Sequence, residues 1–236
     1  MDVSQAELDG ARPYSTILLR AYDLWVLGFN NRFVWRCPTK HLRRLYADNI
    51  SGDHLDVGPG SGWHLSHATY PVAAPKVTLV DLTERSMEMT TRRLRQRDIE
   101  PVSHVGSVLQ PLPVDRQYAS VAASLLMHCV PGTWDTKGIA FRHIADATTD
   151  DGVFFGATVL SHGVPDTALS RATAKAFQRR GLFHNQDDDL TGLVDALERA
   201  FAAVEVNTIG STALWTARRP RRAAQPGAAI APDPQP

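Results

Sequence analysis

Apolar and polar positions along the chain resolve into strands and helices that follow one another in a regular order. Residues 54–57 form a short apolar run that enters Gly58-Pro59-Gly60-Ser61-Gly62, after which residues 63–69 read as a helix. A second buried run, residues 77–80, ends at Asp81, and Thr83 is placed to cap a helix with Met87, Thr91 and Leu94 on one face. Residues 102–105 suit a third strand, and residues 118–126 a fourth, small and apolar enough to be covered on both sides. Thr133 opens a helix that runs to Ala147. The turn Asp150-Asp151-Gly152 then leads into a fifth strand over residues 153–160.

The remaining pattern sits at either end of this alternation. Residues 161–189 interrupt it, with a helix near 168–180 closed by Gly181, and read as an insertion above the sheet. Leu190, Leu193, Val194, Leu197 and Phe201 make an apolar helical stripe headed by Asp187 to Asp189 at the positive helix end. Two strands over 204–209 and 212–217, joined by Gly210-Ser211, form an antiparallel hairpin. Ahead of the first strand, Leu18, Leu19, Tyr22, Trp25 and Val26 recur at helical spacing behind a capping Ser15, and Pro38 permits a second helix from Thr39. Beyond Arg218, Pro, Ala and charged residues replace anything able to pack. The expected division is therefore a helical N-terminal lid over 1–50, an α/β core over 51–218 and a disordered tail over 219–236.

Composition narrows the partners. A chain of 236 residues suits one large α/β domain. Its 25 Lys and Arg balance 25 Asp and Glu, so no long-range field draws it to nucleic acid or to an anionic membrane. No apolar run approaches the roughly 20 residues of a membrane span, and the polar start lacks the regions of a signal peptide. A cytoplasmic protein, monomer or homodimer, is expected. Cys37 and Cys129 are too few for a disulfide framework, and neither they nor the histidines have zinc-ligand spacing. Asp187 to Asp189 read as a helix cap, so no metal site is expected. Lys40, His41, Arg43 and Arg44 read as a solvated helix face, and a Ser-His-Asp hydrolase fails for want of a Gly-x-Ser-x-Gly elbow.

The chemistry concentrates in the segment HLDVGPGSGWHL between a strand and a helix. Gly58, Gly60 and Gly62 allow a sharp turn and close approach of a ligand to main-chain N–H groups. Asp56 adds a carboxylate suited to a cationic amino group, and Asp81, at the end of the next strand, is placed to accept two ribose hydroxyls. Together they suit a nucleoside with an amino-acid tail better than a pyrophosphate.

Residues 54–62 with Asp81 resemble the glycine motif of class I S-adenosylmethionine-dependent methyltransferases, and the resemblance extends over residues 50–218. It implies a Rossmann-like, seven-stranded, mostly parallel sheet with helices on both faces and an antiparallel C-terminal hairpin. It also implies S-adenosylmethionine as cofactor, S-adenosylhomocysteine as product, and a small organic acceptor such as a specialised metabolite. By the same resemblance Leu82 and Met87 sandwich the adenine, although periodicity alone places Met87 in the core of its helix. Ser107 stands where the family often has an Asp that contacts the adenine amino group, a departure that a backbone contact from Val108 could replace. Residues 124–132 correspond to the wall between cofactor and acceptor, with Ser124 and Leu125 on the cofactor side.

His128 in that wall is the one imidazole expected at a strand's carboxyl edge facing the cleft, where it would orient or deprotonate the acceptor; the alternative is a hydrogen-bonded structural histidine. Tyr14, Tyr22, Trp25, Phe29 and Trp35, with Asn30 and Asn31, form an aromatic leader that would fold over the cleft. Tyr14, Tyr22, Asn30 and Trp35 are the acceptor-lining candidates, and Trp25 the core one. Two rivals stand beside methyl transfer. One is an NAD(P)-dependent oxidoreductase, disfavoured by Trp63 in place of a third GxGxxG glycine; the other is a methyltransferase-like protein performing a non-methylating cyclisation or rearrangement.

Overall fold

The computed structural model describes Glu7 and residues 31–222. Helix α1 (Thr39–Asn49) precedes β1 (Asp53–Val57), α2 (Trp63–His67), β2 (Lys76–Asp81), α3 (Glu84–Arg95), β3 (Val102–Val105) and β4 (Tyr118–Ser124). A 3-10 turn (Met127–Cys129) then leads to α4 (Trp134–Lys137), α5 (Ile139–Asp146), β5 (Thr148–Val159), α6 (Ala168–Arg179), α7 (Leu190–Ala200), β6 (Phe201–Ile209) and β7 (Thr212–Pro220). All seven strands share one sheet in the order β3-β2-β1-β4-β5-β7-β6, parallel except where β7 pairs antiparallel with β5 and β6. This is the Rossmann-like arrangement expected from the sequence.

The order positions the site. The chain winds outward from β1 to β3 and then crosses back to place β4 on the other side of β1. Connections leaving β1 and β4 therefore diverge, and a crevice opens at their carboxyl ends.

Side chains alternate between the two faces of the sheet. Leu55, Val57, Val121, Phe154 and Trp215 join α5 and α7 in one core, through Phe141, Ile144, Leu193 and Leu197. Val77, Leu79, Val153 and Phe155 meet Tyr46 of α1, Leu65 of α2, and Met87 and Leu94 of α3 on the other. Thr83 caps α3 by accepting from Ser86 N–H, and Asp189 caps α7 by accepting from Gly192 N–H at 2.8 Å, so the acidic run does head that helix.

Five local expectations need correction. The helix expected from Thr133 to Ala147 is two, broken at Gly138, where a Cβ would lie 3.1 Å from Ala196 of α7 and closer still to the Trp134 carbonyl. Strand β5 starts at Thr148 and carries Asp150-Asp151-Gly152 as an irregularity within it: the register jumps from Tyr118↔Thr148 to Ser120↔Val153. The inward threonine of α3 is Thr90, fully buried, with Thr91 only partly so. Phe201 opens β6 instead of closing α7, and β7 runs to Pro220, two residues past the expected end of the core. The helix expected at residues 15–27, and the tail from residue 223, lie outside the described residues.

Candidate active site

An open cleft follows the carboxyl edge of the sheet. Its floor is Val57 and Gly58 after β1, Val80, Asp81 and Leu82 after β2, Gly106, Ser107 and Val108 after β3, and Leu125 and Leu126 after β4; Cys129, Val130 and Pro131 form one wall, and Glu7 reaches in from the N-terminal segment.

The three motif glycines do different work. Gly58 has φ +68° and lies under Leu126, whose Cδ1 would be 2.7 Å from a Cβ, so only glycine keeps the cleft floor open there. Gly62 (φ +72°) faces away from the cleft, and a Cβ on it would meet the Thr90 Cα of α3 at 2.7 Å. Between them the Gly60 carbonyl accepts from Ser86 Oγ at 2.9 Å and Thr90 Oγ1 at 3.3 Å, which ties the loop to α3.

Asp81 is held from the same helix. Its Oδ1 accepts from Thr83 N–H at 2.9 Å, and its Oδ2 lies 2.8 Å from Ser86 Oγ, whose single proton it shares with the Gly60 carbonyl, while burial pushes its pKa up. Ser86 thus joins the loop to the carboxylate, a link not read from the sequence.

Asp56 points to the helix α1 face of the sheet. Tyr46 donates its hydroxyl to Asp56 Oδ2 at 2.9 Å, and His54, two residues earlier on the same face, brings Nε2 within 3.5 Å of the same oxygen. Nδ1 of His54 meets Ser120 Oγ at 2.8 Å. The His64 ring stacks on Tyr46 with centroids 5.1 Å apart. Within this buried group Asp56 Oδ1, Ser124 Oγ and both His64 ring nitrogens have no hydrogen-bond partner among the described residues. Orphaned acceptors in a closed interior are costly unless a donor reaches them. Burial pushes the His64 pKa down to about 4, with His67 adding to the effect.

The β4 wall carries strain and a buried charge. Leu125 adopts φ 59°, an unusual conformation for a branched residue, and its N–H donates to Ala157 at 2.6 Å. Lys137 is wholly buried: both carboxylate oxygens of Asp188 lie 2.7 Å from its Nζ, which also donates to the carbonyls of Met127, Val130 and His184. Burial raises Asp188 to about 6 against the pull of that ammonium. His128 lies between this pair and an aromatic lid formed by Phe183, 4.4 Å away, on which Trp35 stacks at 5.7 Å. Both hydrogen bonds of His128 run through Nδ1, from Val159 N–H at 3.4 Å and Thr158 Oγ1 at 3.3 Å, which leaves the ring proton on Nε2. Burial, with Lys137 second, pushes its pKa down to about 3.

Of the residues singled out in the sequence, Gly58, Asp81, Leu82, Ser107, Val108 and Leu125 line the cleft together. Asp56 and Ser124 are buried outside its lining, Gly60 and Gly62 shape its loop, and Met87 packs in the core with Leu79. Trp35 and His128 are buried in the lid. Tyr14, Tyr22, Trp25, Phe29 and Asn30 lie outside the described residues. Glu7, Tyr46, His54, His64 and the Lys137–Asp188 pair went unread; of these, only His54 carried a signal, its two-residue spacing from Asp56 on one strand.

The lining contains two carboxylates, Glu7 and Asp81, and, among the described residues, no Lys, Arg or His. Such a cleft repels phosphates and suits a cation rich in hydrogen-bond donors. The orphaned Asp56 Oδ1 and the bare Gly58 floor fit an ammonium and a close-lying chain. A Rossmann-like sheet with this acidic crevice at its switch point suits a cationic nucleoside, and the chain belongs to the S-adenosylmethionine-dependent methyltransferases. Demethylluteothin O-methyltransferase of Streptomyces thioluteus is 40% identical over 216 residues, spanning 91% of this chain and 93% of the relative. The physcion biosynthesis cluster O-methyltransferase of Aspergillus chevalieri is 36% identical over 215 residues, 90% of this chain and 96% of its own. Among solved structures, DhpI with S-adenosylhomocysteine superimposes with a TM-score of 0.61 at 20% identity, covering 92% of this chain and 96% of that one. No family model matches the chain. The oxidoreductase and non-methylating rivals fall with this assignment.

Proposed function

We propose that this enzyme transfers the methyl group to a hydroxyl oxygen of a small, largely apolar acceptor. The observation that carries the reading is the cation-free, acidic cleft at the β1/β4 switch point; the oxygen specificity is supported by the two relatives named for O-methylation. S-adenosylmethionine supplies an electrophilic methyl on a positively charged sulfur and leaves as neutral S-adenosylhomocysteine.

The chain's own residues bind and orient. Asp56 Oδ1 and Ser124 Oγ receive the cofactor's ammonium group over Gly58, with Gly60 and Gly62 holding the loop in shape. Asp81 accepts the ribose hydroxyls, Leu82 and Val108 cover the base, and Met87 supports this surface from the core beneath. Leu125 meets the methionine chain, and Val130 and Pro131 form the wall against which the acceptor lies. Trp35 closes the acceptor side. Rate enhancement comes mainly from alignment, which can supply roughly 7 to 11 kcal/mol when two reactants are held in line.

His128 is a positioning residue in this scheme. A ring held near pKa 3 is neutral at physiological pH and a poor proton acceptor, and it lies outside the cleft lining, so His128 supports the 129–131 wall from behind and the hydroxyl proton leaves to solvent.

Incubation with methyl-labelled S-adenosylmethionine and a metabolite extract, followed by mass detection and fragmentation, should find the label on oxygen. Label recovered on nitrogen or carbon overturns the oxygen assignment. For His128→Ala, the acceptor KM should rise about tenfold with S-adenosylhomocysteine affinity unchanged and the shape of the pH–rate profile preserved. Loss of an acid limb near pH 6.5 would instead make His128 the general base.

A further inference from the structure

The hairpin turn Gly210-Ser211 does more than reverse the chain. β7 runs antiparallel to β5 with Thr212 paired to Val159, so the turn lies at the carboxyl end of β5, on the same edge of the sheet as the cleft. Three segments meet there, and Ser211, which is buried, holds all of them. Its N–H donates to the Trp35 carbonyl at 2.9 Å, its carbonyl accepts from Leu160 N–H at 2.9 Å, and its hydroxyl donates to the Pro165 carbonyl at 3.1 Å. The leader, the end of β5 and the approach to α6 are thereby tied to one residue, each of whose polar groups is paired.

Gly210 has a separate task. A hairpin alone accepts Asn at a positive φ such as its +58°. The leader does not. A Cβ on Gly210 would overlap the Trp35 carbonyl oxygen and lie 2.7 Å from Arg36 Cβ, at the point where the leader bends through φ 57° at Arg36. Glycine lets the backbone of Trp35 and Arg36 press onto the turn.

The side chain so placed reaches the cleft wall. Trp35 stacks on Phe183, and with Val34 and Val159 the two rings form an apolar cluster against which Cys129 packs. Cys129 in turn lines the cleft, whereas Gly210 and Ser211 do not.

We propose that Gly210 and Ser211 are positioning residues for the acceptor: the turn docks the leader at Trp35 and, through the Trp35–Phe183 stack, sets where the Cys129 wall stands. This rests on the acceptor placement given under Proposed function. It makes acceptor fit depend on the β6–β7 hairpin while cofactor binding depends on the strands β1 and β2.

Gly210→Asn tests the proposal, because asparagine keeps the turn and its Cβ displaces the leader. Probed with methyl-labelled S-adenosylmethionine and serial dilutions of the metabolite extract, it should need about tenfold more extract for half-maximal labelling, with the saturating rate and the calorimetric Kd for S-adenosylhomocysteine within about twofold of wild type. Amide hydrogen exchange should quicken together in the leader at Cys37 and in the lid at His184, by about tenfold. Trp35→Ala should match the loss, and the double variant should lose no more than Trp35→Ala alone, since both act through one contact. Ser211→Ala is the milder variant: it keeps both backbone bonds, gives up only the link to Pro165, and should cost about threefold. Circular dichroism checks that each variant folds. Losses that multiply in the double variant, an unaltered extract requirement, or a Kd for S-adenosylhomocysteine that rises by the same factor as that requirement would each overturn the proposal. If wild type labels nothing in the extract, the transfer reading fails first, and exchange still decides the coupling: quickening confined to the leader overturns it.

Discussion

The two faces of the sheet solve burial in opposite ways. Beneath α5 and α7 the core is dry and aromatic: Phe141, Phe154, Phe201 and Trp215 pack with ring centroids 5.5–5.9 Å apart. Beneath α1, α2 and α3 the same sheet buries Tyr46, His54, Asp56, His64 and Ser120, held by hydrogen bonds and stacking. The dry face contributes stability through removal of apolar surface from water. The polar face places a carboxylate under the glycine loop, at the cost of orphaned groups that the cofactor's ammonium is proposed to satisfy. Stability and binding are thus separated across a sheet one residue thick.

Breaking the dry face should have the largest effect. Trp215→Ala, which opens a void against Phe141 and Phe154, should lower unfolding free energy by about 3–5 kcal/mol, read as a reduced urea midpoint with an unchanged slope; a loss below about 1 kcal/mol would mean that this face does not dominate.

Acid should expose the polar face next. His64 and His128 are held near pKa 4 and 3, against 6.5 in the unfolded chain. As pH falls below 6.5 the unfolded chain takes up protons that the folded rings refuse, so stability is lost at up to about 1.4 kcal/mol per pH unit for each ring until the folded pKa is reached. Asp188, raised to about 6, works in the opposite sense: between about pH 4 and 6 the folded state holds a proton that the unfolded state has released. His64→Phe keeps the stack on Tyr46 and should flatten the acid limb of denaturation between pH 6.5 and 4 by about one proton; an unaltered limb would remove His64 from the account.

Smaller effects separate binding from folding. Ser86→Ala frees both Asp81 and the Gly60 carbonyl, and should raise the Kd for S-adenosylhomocysteine about tenfold, near 1.4 kcal/mol, with equal binding counting against the clamp. Thr83→Ala removes the α3 cap and one hydroxyl donor to Asp81 Oδ1, and should cost about 1 kcal/mol of stability, checked by thermal melting, with a smaller loss of affinity than Ser86→Ala.

The strands and the glycine loop were legible because their signals are local: a buried run, a turn rich in glycine, an acidic residue ending the next strand. The break at Gly138 was not, because it reflects the close approach of Ala196 from a helix almost sixty residues on. Asp150-Asp151-Gly152 carried a genuine turn signal, but pairing with β4 absorbed it into an irregular strand. The site split in the same manner. Asp81, Ser107 and Leu125 follow from strand ends, whereas Tyr46 meets Asp56, Ser86 meets Gly60 and Glu7 meets Ser107 across 10, 26 and 100 positions of sequence.

Lys137 has a consequence for how acceptor scope can change. Its ammonium binds carbonyls on both sides of the cleft's outer rim, Met127 and Val130 from the wall and His184 from the lid, and is locked by Asp188. Rim and lid are riveted into one rigid jaw, so a bulkier guest is admitted by trimming side chains such as Val130 or Phe183, not by hinging the jaw open. Redesign of this catalyst for new acceptors should leave that rivet in place and carve around it.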